Sequence, residues 1–329
     1  MAPPRVPKAA ARDLKAVSEP RVLVLAREPD IYRAPIRARY PELALETCSS
    51  YEELGEALRR FEPTVVLTGK IGAPFPRELL LSSAPSVEWV QCDSAGVDHL
   101  RPFSSRVRVT SASGIHDEAL ADYVVCAMLM FNLHFPTFFR QQRDHLWEPK
   151  PLRPSNGQRL VVLGLGAIGT RVAAKAQALG LQVVGVRARP QGDAVGVDKL
   201  IEVLEDADFL AVTLPRTEKT LGLVSEHVLT SMKPGSVLVN ISRGGIVDER
   251  ALARMLREGA LRGAVLDVFE TEPLPAESEL WDLANVVITP HTGDIEGWQS
   301  KVVELFCANL ERFRAGKTLR NVVDPERGY

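Results

Sequence analysis

Short apolar runs recur along the chain at even intervals. Residues 21–26 (Arg-Val-Leu-Val-Leu-Ala), 64–68 and 87–92 each read as one strand, and a polar stretch with helical spacing runs from Ser50 to Phe61 between the first two. Strands of this length, apolar throughout and alternating with helical patterns, predict a parallel α/β sheet covered by helices on both faces. These units form a first α/β domain of about 100 residues. A helix is predicted over 117–135, apolar nearly all round in its second half and so buried between domains or against another subunit. The breaker-rich segment 148–157 reads as a linker, and beyond it strand and helix patterns alternate to about residue 290. Helical spacing over 296–313 predicts a last helix that returns to the first domain.

Length and charge narrow the classes. A chain of 329 residues holds about two domains. Its 40 Lys+Arg against 42 Asp+Glu give a net charge of −2, which calls for no polyanion, so nucleic acid is not an expected partner. No apolar run approaches the roughly 20 residues that span a bilayer, so no membrane association is expected. The 4 cysteines are far apart, with no ligand-type spacing to a histidine; no metal site is predicted, and they read as buried thiols of a reducing, cytoplasmic compartment. Residues 1–20, rich in Ala, Pro and basic side chains but without an apolar leader core, read as a mobile tail, with an organelle transit peptide as the alternative that Asp13 and Glu19 weaken. Trp147 stands alone; a place in a cleft is one reading, and packing is the plainer one.

The strongest local signal is an apolar strand at 159–163 running into Gly164-Leu-Gly166-Ala167-Ile168-Gly169, followed by an alanine-rich helix and a second apolar strand. Within a β-α-β unit, G-x-G-x-x-G is a dinucleotide site: a tight turn at Gly164, close pyrophosphate approach at Gly166, helix–strand packing at Gly169. The helix N-terminus offers unpaired N–H groups and its positive end to the phosphates. At the end of the second strand, where an NAD site carries an acid for the ribose hydroxyl, this chain has Arg187 and Arg189. Two guanidiniums suit a 2′-phosphate, so NADP(H) is the expected cofactor and NAD(H) the alternative.

Three further motifs follow in order: residues 239–252 around Arg243, residues 263–275 around Asp267 and Glu272, and residues 286–293 around His291. Each ends or follows an apolar strand pattern, and ligands of open α/β sheets sit at the carboxyl ends of strands. In these motifs the chain is similar to the D-isomer-specific 2-hydroxyacid dehydrogenases, which implies reduction of a 2-ketoacid; that reaction needs a fixed cation for the substrate carboxylate and carbonyl, which Arg243 can supply. It also needs a proton donor to the developing alkoxide. An imidazole such as that of His291 suits both directions, and Glu272 would orient it and favour its protonated form.

In this combination the chain resembles the D-isomer-specific 2-hydroxyacid dehydrogenase family, over roughly residues 60–325. The resemblance implies two Rossmann-like or flavodoxin-like α/β domains with parallel sheets. The dinucleotide domain (117–291) is inserted into a substrate domain (21–116 and 292–329), with the active site in the cleft. It implies Arg243, Glu272 and His291 as catalytic residues. Cofactor contacts are implied at Gly164, Gly166, Ala167, Ile168, Gly169, Arg187, Arg189, Leu214, Pro215, Ile241, Ser242, Arg243, Asp267, His291 and Gly293, with Asp267 on the nicotinamide carboxamide. Ser94, Ala95 and Gly96 match the loop whose backbone N–H groups bind the substrate carboxylate, beside Arg243 and His291.

Several departures bear on the branch. An Arg that often touches the pyrophosphate is replaced by Ala167, which leaves cofactor affinity to lean on Arg187 and Arg189. Glu272 opposite His291 argues against the formate dehydrogenase branch, and the absence of a domain after residue 329 disfavours the long phosphoglycerate dehydrogenases. Residues 272–281 are most similar to glyoxylate/hydroxypyruvate reductases. The expected activity is NAD(P)H-dependent reduction of a small 2-ketoacid to the D-2-hydroxyacid by a cytoplasmic homodimer. The alternatives are a non-catalytic dinucleotide-sensing interaction protein, or a dehydrogenase of the same scaffold with another substrate.

Overall fold

The first strand, β1 (Arg21–Leu25), is followed by α1 (Asp30–Arg39), β2 (Ala44–Cys48), α2 (Tyr51–Phe61), β3 (Val65–Thr68), α3 (Arg77–Leu81), β4 (Trp89–Cys92) and β5 (Arg108–Thr110). The computed structural model describes residues 19–329; the expected tail falls, through residue 18, outside the described residues. Two long helices come next, α4 (Asp117–Asn132) and α5 (Phe135–Arg143). The chain then forms β6 (Arg159–Leu163), α6 (Ala167–Ala178), β7 (Gln182–Val186), α7 (Leu200–Leu204), β8 (Phe209–Val212), α8 (Glu226–Thr230) and β9 (Val237–Asn240). It closes with α9 (Glu249–Arg257), β10 (Gly263–Leu266), β11 (Val286–Ile288) and α10 (Trp298–Arg314).

These elements fall into two compact units. One runs to Ala112 and resumes over Gln299–Tyr329; the other is Ser113–Trp298, so the second interrupts the first along the chain. The first unit holds a five-stranded sheet of order β2-β1-β3-β4-β5, parallel throughout, which is the flavodoxin-like order. Its inner strands β3 and β4 are buried at every position. At its core Trp89 stacks on Phe306 with ring centroids 5.3 Å apart, and its indole N–H donates to Thr110 Oγ1 at 2.8 Å. A buried indole needs such a partner. Ser50 caps α2 by accepting the Glu53 N–H at 3.3 Å, fixing where the polar stretch becomes a helix.

The second unit holds a parallel six-stranded sheet of order β11-β10-β9-β8-β6-β7. Strand order reverses at β6, whose neighbours β7 and β8 lie on opposite sides, and such a switch point opens a crevice at the strands' carboxyl ends. One face of this sheet is covered by a cluster that includes Ala121, Val124, Ala127, Met128 and Phe131 of α4 with Val172 and Ala176 of α6.

Three expectations are corrected. The helix over 117–135 is two helices bent by 63°, because His134 takes a left-handed φ of 59° and Pro136 opens α5. Cys126 of α4 is exposed rather than buried, although Cys48, Cys92 and Cys307 are buried, and all four thiols are free. Trp147 is 98% exposed and packs in no core. No single helix among the described residues is long and apolar enough to cross a membrane.

Candidate active site

The glycine fingerprint sits at the switch point of the second unit. Gly164, just past β6, has φ +108°, and a Cβ there would lie 3.0 Å from the Thr213 carbonyl oxygen beyond β8. At Gly169, in the first turn of α6, a Cβ would stand 1.8 Å from the Gly164 carbonyl oxygen, so only glycine lets the helix sit this close to the turn. Gly166 is different: it caps α6, and a Cβ there meets nothing within 4 Å. Packing therefore explains two glycines, while the third has open space where its Cβ would stand, at the start of the helix that Ala167 and Ile168 begin. A dinucleotide pyrophosphate fits that cradle.

Other expected cofactor residues surround the same strand ends. Leu214 and Pro215 follow β8, and a Leu214 methyl would lie 3.0 Å from a Cβ on Gly164. Ile241 and Ser242 are buried just past β9. The Asn240 side chain accepts both the Ser242 N–H (3.1 Å) and its hydroxyl (2.5 Å), which shapes the turn leading to Arg243. Arg187 follows β7 and donates from Nη1 to Gln191 Oε1 at 3.4 Å; Arg189 is exposed. The chain has no acid at either place to repel a 2′-phosphate.

β9, β10 and β11 are adjacent in the sheet, so the loops carrying Arg243, Asp267–Glu272 and His291 leave it side by side. The His291 Nδ1–H donates to Glu272 Oε2 at 2.8 Å, and the other Glu272 oxygen accepts the Phe269 N–H at 3.0 Å. A carboxylate only accepts, so Nδ1 carries the proton of this contact and Nε2 is left for exchange. His291 is 41% and Glu272 35% side-chain exposed, which keeps the pair reachable from solvent. Arg243 donates to its neighbour's carbonyl, Ser242 O, at 2.8 Å. Its other neighbour, Gly244, presses on the Glu272 loop: a Cβ there would lie 1.8 Å from Phe269 O. Asp267 is 2% exposed, and Gly293 lies past His291 and beside Leu120.

The Ser94-Ala95-Gly96 loop belongs to the first unit. It follows β4, its Ser94 hydroxyl donates to Gly96 O at 2.9 Å, and Ser94 O accepts the Ala112 N–H at 2.9 Å.

The structure adds Glu249, which sequence reasoning passed over because an acid in a helix's first turn is ordinary. Asp248 caps α9 by accepting the Ala251 N–H at 3.0 Å, and Glu249 turns away to accept the Glu270 N–H. Burial first, then the nearby charges of Glu270 and Glu272, raise its carboxyl to about 7 against the stabilising effect of that bond.

A nucleotide cradle, a paired histidine and carboxylate, and an arginine at the carboxyl ends of one parallel sheet define a dinucleotide-dependent oxidoreductase. Residues 125–293 match the model of the D-isomer specific 2-hydroxyacid dehydrogenase NAD binding domain. A D-isomer specific 2-hydroxyacid dehydrogenase family protein of Aeromonas salmonicida superposes with a TM-score of 0.80 at 30% identity, over 94% of this chain and all of that one. The enzyme of that family from Xanthobacter autotrophicus Py2, solved with NADPH and MES, is 28% identical with a TM-score of 0.83, over 95% of this chain and 100% of that chain. Glyoxylate reductase of Korarchaeum cryptofilum is 29% identical over 94% of this chain and 97% of its own length. The chain belongs to the D-isomer specific 2-hydroxyacid dehydrogenase family. Its chemistry is NAD(P)-dependent hydride transfer between a 2-ketoacid and a 2-hydroxyacid.

Proposed function

We propose that this chain reduces a small 2-ketoacid of the glyoxylate or hydroxypyruvate kind to the D-2-hydroxyacid, with NADPH preferred over NADH. The observation that carries the reading is the His291–Glu272 pair at 2.8 Å, at the carboxyl end of the sheet that carries the nucleotide cradle. The likeness to a glyoxylate reductase and to a relative solved with NADPH supports the substrate class and the cofactor.

Reduced nicotinamide, when bound, supplies the hydride that attacks the keto carbon. Gly164, Gly166 and Gly169 with the amides of Ala167 and Ile168 hold the pyrophosphate. Leu214, Pro215, Ile241, Ser242 and Gly293 line the rest of the cofactor's path, and Asp267 faces the carboxamide. Arg187 and Arg189 grip the 2′-phosphate. Arg243 binds the substrate carboxylate and polarises the carbonyl. His291 passes the Nε2 proton to the developing alkoxide while Glu272 holds Nδ1 and offsets the imidazolium charge.

The test follows loss of the reduced nicotinamide's ultraviolet absorbance with glyoxylate or hydroxypyruvate, with NADPH and NADH in parallel. Wild type should turn over, and His291→Ala should lose about 10²–10⁴ in kcat. Turnover lacking in wild type across a broad ketoacid panel, with cofactor still bound, would put the sensing alternative in its place. Equal use of both cofactors would remove Arg187 and Arg189 from the 2′-phosphate.

A homodimer is part of the same reading. Val125, Cys126, Leu129, Met130, Phe135 and Phe139 form a partly exposed apolar face along α4 and α5, of the kind that marks a protein interface. A monomeric mass by light scattering at micromolar concentration would refute it. Four free thiols suit a cytoplasmic setting, which cell fractionation tests.

A further inference from the structure

A part-buried chain of hydroxyls ends on the buried Asp267, and nothing in the catalytic reading uses it. The Thr289 hydroxyl, just past β11, donates to Asp267 Oδ1 at 2.5 Å. The Tyr123 hydroxyl of α4 stands 2.7 Å from the same Thr289 oxygen. A threonine has one hydroxyl proton, and here it is committed to a carboxylate that only accepts. Tyr123 must therefore be the donor to Thr289, which makes the order of donation unique: Tyr123 to Thr289 to Asp267. Burial first pushes the Tyr123 phenol up to about 12, with the Asp267 charge adding to it, so the hydroxyl stays a donor at any physiological pH.

A second donor reaches the same oxygen. The Thr292 N–H lies 2.8 Å from Asp267 Oδ1, and the His291 N–H donates to the Asp267 backbone carbonyl at 2.9 Å. The Thr289 hydroxyl and the Thr292 amide thus converge on Oδ1, which fixes the rotation of the carboxylate and directs the plane of Oδ2 with it. Donation along a line of hydroxyls polarises each member, so the terminal bond is firmer than an isolated one.

We infer that Tyr123, acting through Thr289, is a positioning residue that locks the Asp267 carboxylate for the nicotinamide end of the cofactor. The inference rests on the assignment of Asp267 to the carboxamide made above. Removing the phenol hydroxyl leaves the Thr289 and Thr292 bonds to Oδ1 but takes away the donor that orients and polarises the Thr289 hydroxyl, so the carboxylate is held less firmly and the nicotinamide half loses affinity while the adenosine half does not.

The experiment titrates cofactor into the purified protein by quenching of tryptophan fluorescence, which requires no turnover. NADPH and adenosine 2′,5′-bisphosphate, which lacks the nicotinamide, are compared on wild type, Tyr123→Phe, Thr289→Val, Thr289→Ser and Asp267→Asn. Tyr123→Phe and Thr289→Val should each weaken NADPH by about three- to tenfold and leave the bisphosphate unchanged. Thr289→Ser keeps the hydroxyl and should stay near wild type. Equal weakening of both ligands would mean a general packing loss and overturn the relay, as would unchanged NADPH binding in Tyr123→Phe beside a weakened Asp267→Asn. Unchanged binding in Asp267→Asn itself would instead remove Asp267 from the nicotinamide. Should Thr289→Val fail to fold, the Tyr123→Phe and Thr289→Ser pair still decides.

Discussion

His291 has a φ of +51°, in the left-handed region that a residue with a Cβ enters at a cost of about 1–3 kcal/mol. Two bonds to Asp267 hold it there, from the His291 and Thr292 amides, so the strain is maintained by the residue that the cofactor is expected to meet. The imidazole is fixed a second time by Glu272. Glu272→Gln keeps an acceptor for Nδ1 but removes the charge that offsets the imidazolium; kcat should fall about 10- to 100-fold with cofactor affinity unchanged, as steady-state kinetics and titration would show. A kcat within twofold of wild type would deny Glu272 that role. Glu249 carries a pH dependence. Its folded carboxyl titrates at about 7 against 4.5 in an unfolded chain, so across that window the folded protein keeps a proton that the unfolded chain has released. Stability contributed in this way is full below the lower value, falls as pH rises through the window, and is gone above it. Glu249→Gln still accepts the Glu270 N–H and does not titrate. Its melting temperature should drop less than that of wild type between about pH 5 and about pH 8; parallel curves would mean that Glu249 is ionised throughout.

At the scale of elements, Gly166 and Gly169 separate binding from packing. Gly169→Ala places a methyl on the Gly164 carbonyl, and overpacking of this kind costs about 1–3 kcal/mol, so calorimetry should show a lower melting temperature together with weaker cofactor binding. Gly166→Ala meets open space, so the fold should melt like wild type while NADPH affinity falls. A Gly166→Ala protein that binds cofactor normally would move the pyrophosphate away from this cradle. The fingerprint and its flanking elements were legible in the sequence because β6, the turn and α6 are contiguous, and β6 is buried from its second residue onward. β2 and β5 were not. Both are edge strands, β2 only partly covered and β5 only three residues long, so neither carries an uninterrupted apolar signature. The bend between α4 and α5 was missed for a related reason: the apolar run continues through Leu133 while the backbone turns at His134.

At the scale of the molecule, the outward face of α4 and α5 should carry the two-fold contact. Leu129→Glu puts a charge in its middle and should halve the mass seen by light scattering, with the melting temperature of the isolated chain little changed. An unchanged dimer would move the contact elsewhere. The sequence alone determined the two α/β units, the nucleotide cradle, and the order Arg243, Glu272, His291, because each rests on a local motif at the end of one apolar strand. Tertiary structure decided what those motifs do to one another. Parallel pairing of β9, β10 and β11 sets three loops side by side and brings Glu272 to His291. It also joins Tyr123 to Thr289, 166 positions away along the chain, and turns Glu249 from a helix-opening acid into a neighbour of Glu270 and Glu272. Periodicity and spacing report which face a residue presents; only the crossing of distant segments determines which proton meets which acceptor.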